Sequence, residues 1–339
     1  MSREDFSRVS DLGPLPAMLT AEVGSSALSR AFQEQGVNLG VLDNPLQFIP
    51  TRDLCGLHEW AVRLAGDTTF GFRLAKAFTI RELGPLGEFV INSDTLQTMI
   101  ERLVAALPLH LGGGSVALEQ MDGTARYIFR SPFGSVLGAR YAGARSVFGM
   151  IELVRWFVGP NWLPQAIEVE YGPQPANSPL EDHFDLPVHY NRPSYALLFP
   201  SDLLATPNPV QKPIEQSMTL LELAAALRME PPRTITEAVR TVLSLRLLDG
   251  ADDIDGTARK LGIGPRSLQR ALNSEGTSYR DTLVGVRTDR ATELLRTSSA
   301  SISDIARSLG YSSASHFTRA FIKRTGVPPS KLRKVEARA

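Results

Sequence analysis

Two short stretches of the chain are rich in side chains that hydrogen-bond base edges. The first holds Arg266, Ser267, Gln269, Arg270 and Asn273; the second holds Ser312, Ser313, Ser315, His316, Arg319 and Lys323. Arginine can form paired hydrogen bonds to guanine in a major groove, glutamine and asparagine can do so to adenine, and serine can serve either. Around and beyond the second stretch stand Lys323, Arg324, Lys331, Arg333 and Lys334, whose reach and charge suit phosphate oxygens. Such contacts set affinity and register, not sequence choice. His316 has no second His or Cys at ligand spacing, so no metal is expected there, and no cofactor is expected anywhere in the chain.

The two stretches sit at equivalent places in an internal repeat. Ile254-Asp255-Gly256-Thr257-Ala258-Arg259-Lys260-Leu261-Gly262 aligns with Ile302-Ser303-Asp304-Ile305-Ala306-Arg307-Ser308-Leu309-Gly310, 48 residues later. With one residue added to the second turn, Leu268, Arg270 and Leu272 match Phe317, Arg319 and Phe321, and each copy closes on a glycine, Gly276 or Gly326. Each copy has the parts of a helix-turn-helix. Ala258 and Ala306 are small enough to let two helix axes cross closely. Gly262 and Gly310 can adopt the positive φ that the turn requires. Leu268 with Leu272, and Phe317 with Phe321, supply a buried face at i, i+4. Asp252 and Asp253 offer caps to one first helix, and Ser301 with Asp304 resembles a capping box at the other. The spans predicted are 254–274 and 302–324, joined by a proline-free helix over 279–296. A helix of about 18 residues extends roughly 27 Å, comparable to the roughly 34 Å of one DNA turn. The bland alternative is that this repeated unit serves only for packing.

The net charge of zero conceals a division: from Pro232 onward there are 19 Lys and Arg against 11 Asp and Glu, while residues 1–231 hold 17 against 25. The basic part is the one expected to meet phosphates. With 43% hydrophobic and 21% charged residues the chain reads as folded and globular. Its one cysteine, Cys55, excludes an intrachain disulfide framework, and a reducing cytoplasm is the expected location. The start, Met1-Ser2-Arg3-Glu4-Asp5, leads into no apolar signal core. The most apolar helix candidate, Ser146 to Gly159, is interrupted by Glu152 and Arg155, so no membrane span is expected.

Proline-rich breaks at Pro207–Pro213 and Pro231-Pro232 predict an N-terminal domain over 1–206, a linker over 207–231 and a basic domain over 232–339. The N-terminal part mixes helix patterns (51–65, 95–107, 142–158) with strand patterns (116–120, 125–129, 166–171, 187–190, 195–199) and a turn at Asp122-Gly123. The fold class expected is an α+β domain followed by an all-α domain with two helix-turn-helix motifs and a connecting helix.

Ile305-Ala306, Gly310-Tyr311, Ser315-His316-Phe317, Phe321, Lys323, Gly326, Pro329 and Arg333 resemble the C-terminal signature of AraC/XylS-type transcriptional regulators. Gly262, Pro265-Arg266-Ser267-Leu268-Gln269-Arg270 and Gly276-Thr277-Ser278-Tyr279 are similar to the first helix-turn-helix of that family. Pro328 and Leu332 depart from it, where Thr or Ser and an aromatic are usual. Phe70-Gly71-Phe72-Arg73-Leu74, Leu83-Gly84-Pro85-Leu86-Gly87 with Ser93 and Thr95, and Phe184–Pro200 look like the "arabinose-binding" sensor domain of one branch. The resemblance implies a DNA-binding regulator, an activator among the possibilities, with promoter DNA, RNA polymerase, a small-molecule effector and a second copy of itself as partners. Trp60, Phe70, Phe72, Trp156 and Trp162 are candidates to line an effector cavity. Arg73, Arg140, Arg145 and Arg155 are candidates to neutralise an acidic effector. The alternatives are an enzyme, for which no Walker-A lysine or nucleophile elbow is found, and a DNA-binding protein that answers to no ligand.

Overall fold

The structure, a computed structural model, describes residues 5–67, 69–173, 179–210 and 218–336. Met1 to Glu4, Gln211 to Pro213 of the proline-rich stretch and the Lys334 side chain lie outside the described residues. The chain forms two compact units that divide between Pro231 and Pro232.

The first unit contains helices α1 (Leu15–Glu22), α2 (Ser25–Gln35), α3 (Thr51–Ala65), α4 (Phe70–Ala77), α5 (Pro85–Ile91), α6 (Leu96–His110), α7 (Ala139–Val158), α8 (Pro179–Phe184) and α9 (Leu220–Leu227). Strands β1 (Phe6–Arg8) and β2 (Phe48–Pro50) form a small antiparallel pair. The main sheet is built from β3 (Ser115–Met121), β4 (Thr124–Arg130), β5 (Ala166–Glu168), β6 (Val188–His189) and β7 (Tyr195–Pro200), in the order β3-β4-β7-β5-β6. All its neighbours are antiparallel except β5 and β6. The β3–β4 turn has φ of 51° at Asp122 and 77° at Gly123, the two positive angles of the hairpin turn that matches strand twist. The strand patterns at 166–171 and 187–190 contract to β5 and β6, with β6 at the sheet edge, where one side has no partner strand among the described residues.

Helix α7 buries Val147, Phe148, Ile151 and Val154, the spacing that marked it in the sequence. Helix α6 is capped by Thr95, whose hydroxyl accepts the Thr98 N–H at 3.2 Å. Part of the segment expected as a linker is instead helical: α9 packs on α5 and α6 within this unit. Its cause is local, a capping box of Thr219 and Glu222 with Leu223 and Leu227 buried at i, i+4. Arg8 reinforces the arrangement by donating to the carbonyls of Leu46 at 2.5 Å, Leu109 at 2.9 Å and Met229 at 2.6 Å.

The second unit, over 232–336, is helical throughout its regular structure: α10 (Ile235–Arg246), α11 (Ile254–Lys260), α12 (Pro265–Ser274), α13 (Tyr279–Thr297), α14 (Ile302–Ser308), α15 (Ala314–Thr325) and α16 (Pro329–Glu336). The pairs α11–α12 and α14–α15 are the helix-turn-helix copies, and α13 connects them. Helix α10 packs on α11, α12 and α13, while α16 packs on α13 and α15. No helix of the described residues is long and apolar enough to cross a membrane.

Candidate nucleic-acid interface

The two copies close their first helices in the same way. Gly262 and Gly310 have φ of 66° and 73°, and each donates to the carbonyl three residues back, of Arg259 at 3.1 Å and Arg307 at 3.0 Å. The next residues, Ile263 and Tyr311, donate to Ala258 and Ala306, each at 3.0 Å. This doubly bonded glycine end satisfies carbonyls left open at a helix C-terminus. Asp253 caps α11 by accepting the Gly256 N–H at 2.6 Å, and Ser301 caps α14 by accepting that of Asp304 at 3.1 Å. Asp252, also a candidate cap, pairs instead with Arg287 of α13. The Gly256 N–H and Arg246 together hold the Asp253 carboxyl below the usual carboxylate range.

The second helices bury one side and expose the other. In α12, Leu268 and Leu272 are fully buried, whereas Arg266, Gln269, Arg270 and Asn273 are exposed and Ser267 is half-buried. In α15, Phe317 and Phe321 are buried, and Ser315, His316, Arg319 and Lys323 are exposed, as are Ser312 and Ser313 in the preceding turn. Ser313 also has a structural task, capping α15 by accepting the His316 N–H at 3.2 Å. Ser312 Oγ lies 3.1 Å from His316 Nδ1.

Charge distinguishes these faces from the rest of the unit. Arg240, Arg246, Arg287, Arg290 and Arg307 are neutralised by Asp289, Asp253, Asp252, Glu293 and Asp304. By contrast Arg266, Arg319, Lys323, Arg324 and Lys331 are exposed and have no ion pair among the described residues. Among the described residues, Arg270 hydrogen-bonds Ser267 of its own helix, Nη2 to Oγ at 3.4 Å, and forms no ion pair. Arg333 differs from the other phosphate candidates: it is half-buried and donates to the Ala300 carbonyl at 2.6 Å, tying α16 to the start of the second copy. Arg280, at the second residue of α13, is exposed and likewise without an ion pair among the described residues. It lies within the 279–296 connector and was not among the sequence candidates, although it directly follows the Ser278 cap and Tyr279.

The candidates in the first unit disperse. Arg73 is bound to Glu22 and Asp67, at 2.8 Å and 2.9 Å. Arg140 donates to the Tyr141 hydroxyl at 2.6 Å, and Arg155 to the Trp162 carbonyl at 2.8 Å. Arg145 alone of the four lines a cavity of about 90 Å³, together with Asp11, Phe78, Ile80, His110 and Tyr127 among others. Trp60, Phe70, Phe72, Trp156 and Trp162 do not line it; Phe72 packs on Phe148 and Trp162 on Phe199. The Asp11–His110 bond, 2.9 Å long, joins residues 99 apart in sequence, a juxtaposition for which no local signal existed.

Residues 26–208, more than half of the chain, match the model of the N-terminal arabinose-binding domain of AraC transcription regulators. Residues 257–335 match a helix-turn-helix domain model. The chain is 28% identical over 318 residues to the ornithine utilization regulator of Pseudomonas aeruginosa, covering 93% of each protein. It is 27% identical over 304 residues, or 86% of each, to an HTH-type transcriptional regulator of Mycobacterium tuberculosis. Among solved structures, the transcriptional regulator CdpR from Pseudomonas aeruginosa is similar, with 20% identity and a TM-score of 0.41, over 91% of this chain and 97% of that one.

Proposed function

The chain belongs to the AraC family of transcription regulators and is a sequence-specific DNA-binding protein, not an enzyme; from that premise we propose that α12 and α15 are its two reading helices, each laid in a major groove. Arg266, Ser267, Gln269, Arg270 and Asn273 then face the bases of one half-site, and Ser312, Ser313, Ser315, His316, Arg319 and Lys323 those of the other. Arg324 and Lys331 meet phosphates, and Arg333 contributes by holding α16 in position. The observation that carries the reading is the set of exposed basic side chains left without ion pairs on the two faces, in a unit whose other arginines are so often neutralised. A buried or paired arginine is not available to a guanine; these are.

The N-terminal domain, over 1–206 with the following segment, binds a small-molecule effector and carries the contact between two copies of the chain. Effector binding shifts an existing equilibrium and so changes promoter occupancy and contact with RNA polymerase. The protein acts in the cytoplasm, where its operator lies.

A gel-shift titration on DNA upstream of its own and neighbouring genes, at physiological salt with excess competitor, tests the assignment. A discrete shift that is lost in the Arg270→Ala/Arg319→Ala double variant is the expected result. A specific shift that survives both substitutions would move the reading faces elsewhere on the unit.

A further inference from the structure

We propose that the cavity of the first unit is the effector site and that its ligand is a short aliphatic monocarboxylate, held at the carboxyl group by Arg145 and His110. The proposal rests on the reading of this unit as the effector-binding one and adds the place and the chemical class.

The cavity, about 90 Å³, is several times the roughly 10–15 Å³ that one water needs. Its lining is of two kinds. Phe78, Ile80, Leu86, Leu103, Leu107 and Met150 make an apolar wall, while Asp11, His110 and Arg145 form a polar trio. The trio is deeply buried: Asp11 is 3% exposed, His110 2% and Arg145 8%. Its acceptors are already engaged. Asp11 Oδ1 binds His110 Nε2 at 2.9 Å with Arg145 Nη1 at 3.7 Å, and Oδ2 accepts the Arg8 backbone N–H at 3.2 Å. Arg145 makes no hydrogen bond among the described residues, and two nitrogens of the trio, Arg145 Nε and His110 Nδ1, are buried without a partner. A buried polar group in that state calls for a partner.

The chemistry of that partner is narrow. Arg145 Nε offers an N–H and so asks for an acceptor. His110 Nδ1, with Nε2 committed to Asp11, either accepts a carboxylic O–H or, on a protonated ring, donates to the carboxylate; in both states one proton is shared between ligand and ring. A phosphate ester would bring more negative charge than one arginine, already beside Asp11, can balance. An ammonium ligand would meet Arg145 with no free carboxylate to receive it. A sugar would turn most of its hydroxyls to a wall made mainly of leucine, isoleucine, phenylalanine and methionine, with Tyr127 and Ser146 the other polar residues beyond the trio. A single carboxyl group on an aliphatic body fits both kinds of lining.

Gly149 of α7 supplies the means to test this without touching the charged trio. It lines the cavity, and a Cβ built there meets nothing within 4 Å. Gly149→Leu therefore fills the ligand space from the helix, where leucine is also a better helix former than glycine.

Isothermal titration calorimetry on the full chain, with acetate, butyrate, isovalerate, hexanoate and octanoate, and with the matched primary amides and alcohols, decides the matter. We expect at least one acid to bind, its amide and alcohol to bind roughly tenfold more weakly or not at all, the scale of a lost charge-assisted hydrogen bond, and Arg145→Gln and Gly149→Leu each to abolish the heat. Gly149→Leu keeps the test valid should Arg145→Gln unfold, which circular dichroism would reveal. Failure of every acid to bind, equal binding of acid and amide, or unchanged binding in folded Gly149→Leu overturns the proposal. The same acid added to the operator gel shift separates the two readings. Binding without any change in operator affinity leaves the cavity assignment standing and removes effector control; a metabolite extract that changes operator affinity although no acid binds does the reverse.

Discussion

The two helix-turn-helix copies share a backbone plan and differ in what they hang on it. Both end their first helix on a doubly bonded glycine, and both bury a residue pair four apart on the second. Copy one buries Leu268 and Leu272 and exposes long polar side chains, Arg266, Gln269, Arg270 and Asn273. Copy two buries Phe317 and Phe321, with Tyr311 edge-on to Phe317 at 5.4 Å, and its leading residues are short: Ser312, Ser313 and Ser315. The core and the exposed face are thus independent choices on one frame. Long side chains with two donors or a donor and an acceptor discriminate bases most strongly, so copy one should carry more of the sequence choice. Copy two, with Arg324 and Lys331 nearby, should carry more of the general affinity.

The sharpest way to break this comparison is through the cores. Phe317→Ala removes a ring packed against Tyr311 and Phe321 and should cost about 3–5 kcal/mol, while Leu272→Ala should cost about 2–5 kcal/mol. Urea denaturation followed by far-ultraviolet circular dichroism compares them, and a Phe317→Ala cost well below that of Leu272→Ala would show that the aromatic core is not the tighter one. Next come the faces. Arg270→Ala should weaken operator binding by about 1–3 kcal/mol and relax preference at one base pair, with Ser315→Ala costing less; binding to single-base operator variants reads both, and the reverse ranking would assign the sequence choice to copy two.

Removing the caps tests whether the first helices are equally held. Ser301→Ala should cost about 1 kcal/mol. Asp253→Ala should cost more, because its carboxylate also pairs with Arg246. Thermal melts measure the pair. Smaller still, Lys331→Ala should lower affinity evenly across sequences and reduce the salt slope by about 1; a change confined to one operator sequence would make it a base contact. Acid gives the subtlest test. Since the folded Asp253 carboxyl lies below its unfolded value, its contribution is present above the ordinary carboxylate range and is lost as pH falls through the folded value. Asp253→Asn, which can still cap, should flatten that acid limb of the stability curve.

What was legible beforehand divides along the same physical line. Small residue, turn glycine, apolar pair and cap all act within a dozen residues, so the repeat exposed 254–274 and 302–324 closely, and α13 at Tyr279–Thr297 extends the expected 279–296 by one residue. The α+β domain followed by an all-α domain was legible from the switch in periodicity. Hidden were contacts between distant residues. Nothing near Asp252 announces Arg287, nothing near Arg333 announces the Ala300 carbonyl, and Asp11 gives no hint of His110. The β1–β2 pair left no signal because three-residue strands are too short to alternate, and α9 was obscured because its capping box lies between two proline-rich breaks. Of the four arginines proposed for an effector, sequence could not tell the one facing a cavity from three engaged elsewhere.

Helix α13 has a consequence for the DNA rather than for the protein. Its 19 residues, packed by α10, α14, α15 and α16, extend roughly 28 Å and fix the separation of α12 and α15, the two helices proposed to read DNA. Once one copy is seated, the other searches not the solution but a single neighbouring groove, at the effective concentration of a tethered partner, with the gain in avidity that follows. That gain exists only when the half-sites are in phase. Inserting about five base pairs, half of the roughly 10–10.5 in a turn, carries one half-site to the opposite side of the duplex and leaves a single copy engaged at a time. The length of one helix thereby sets which operators can be bound at all.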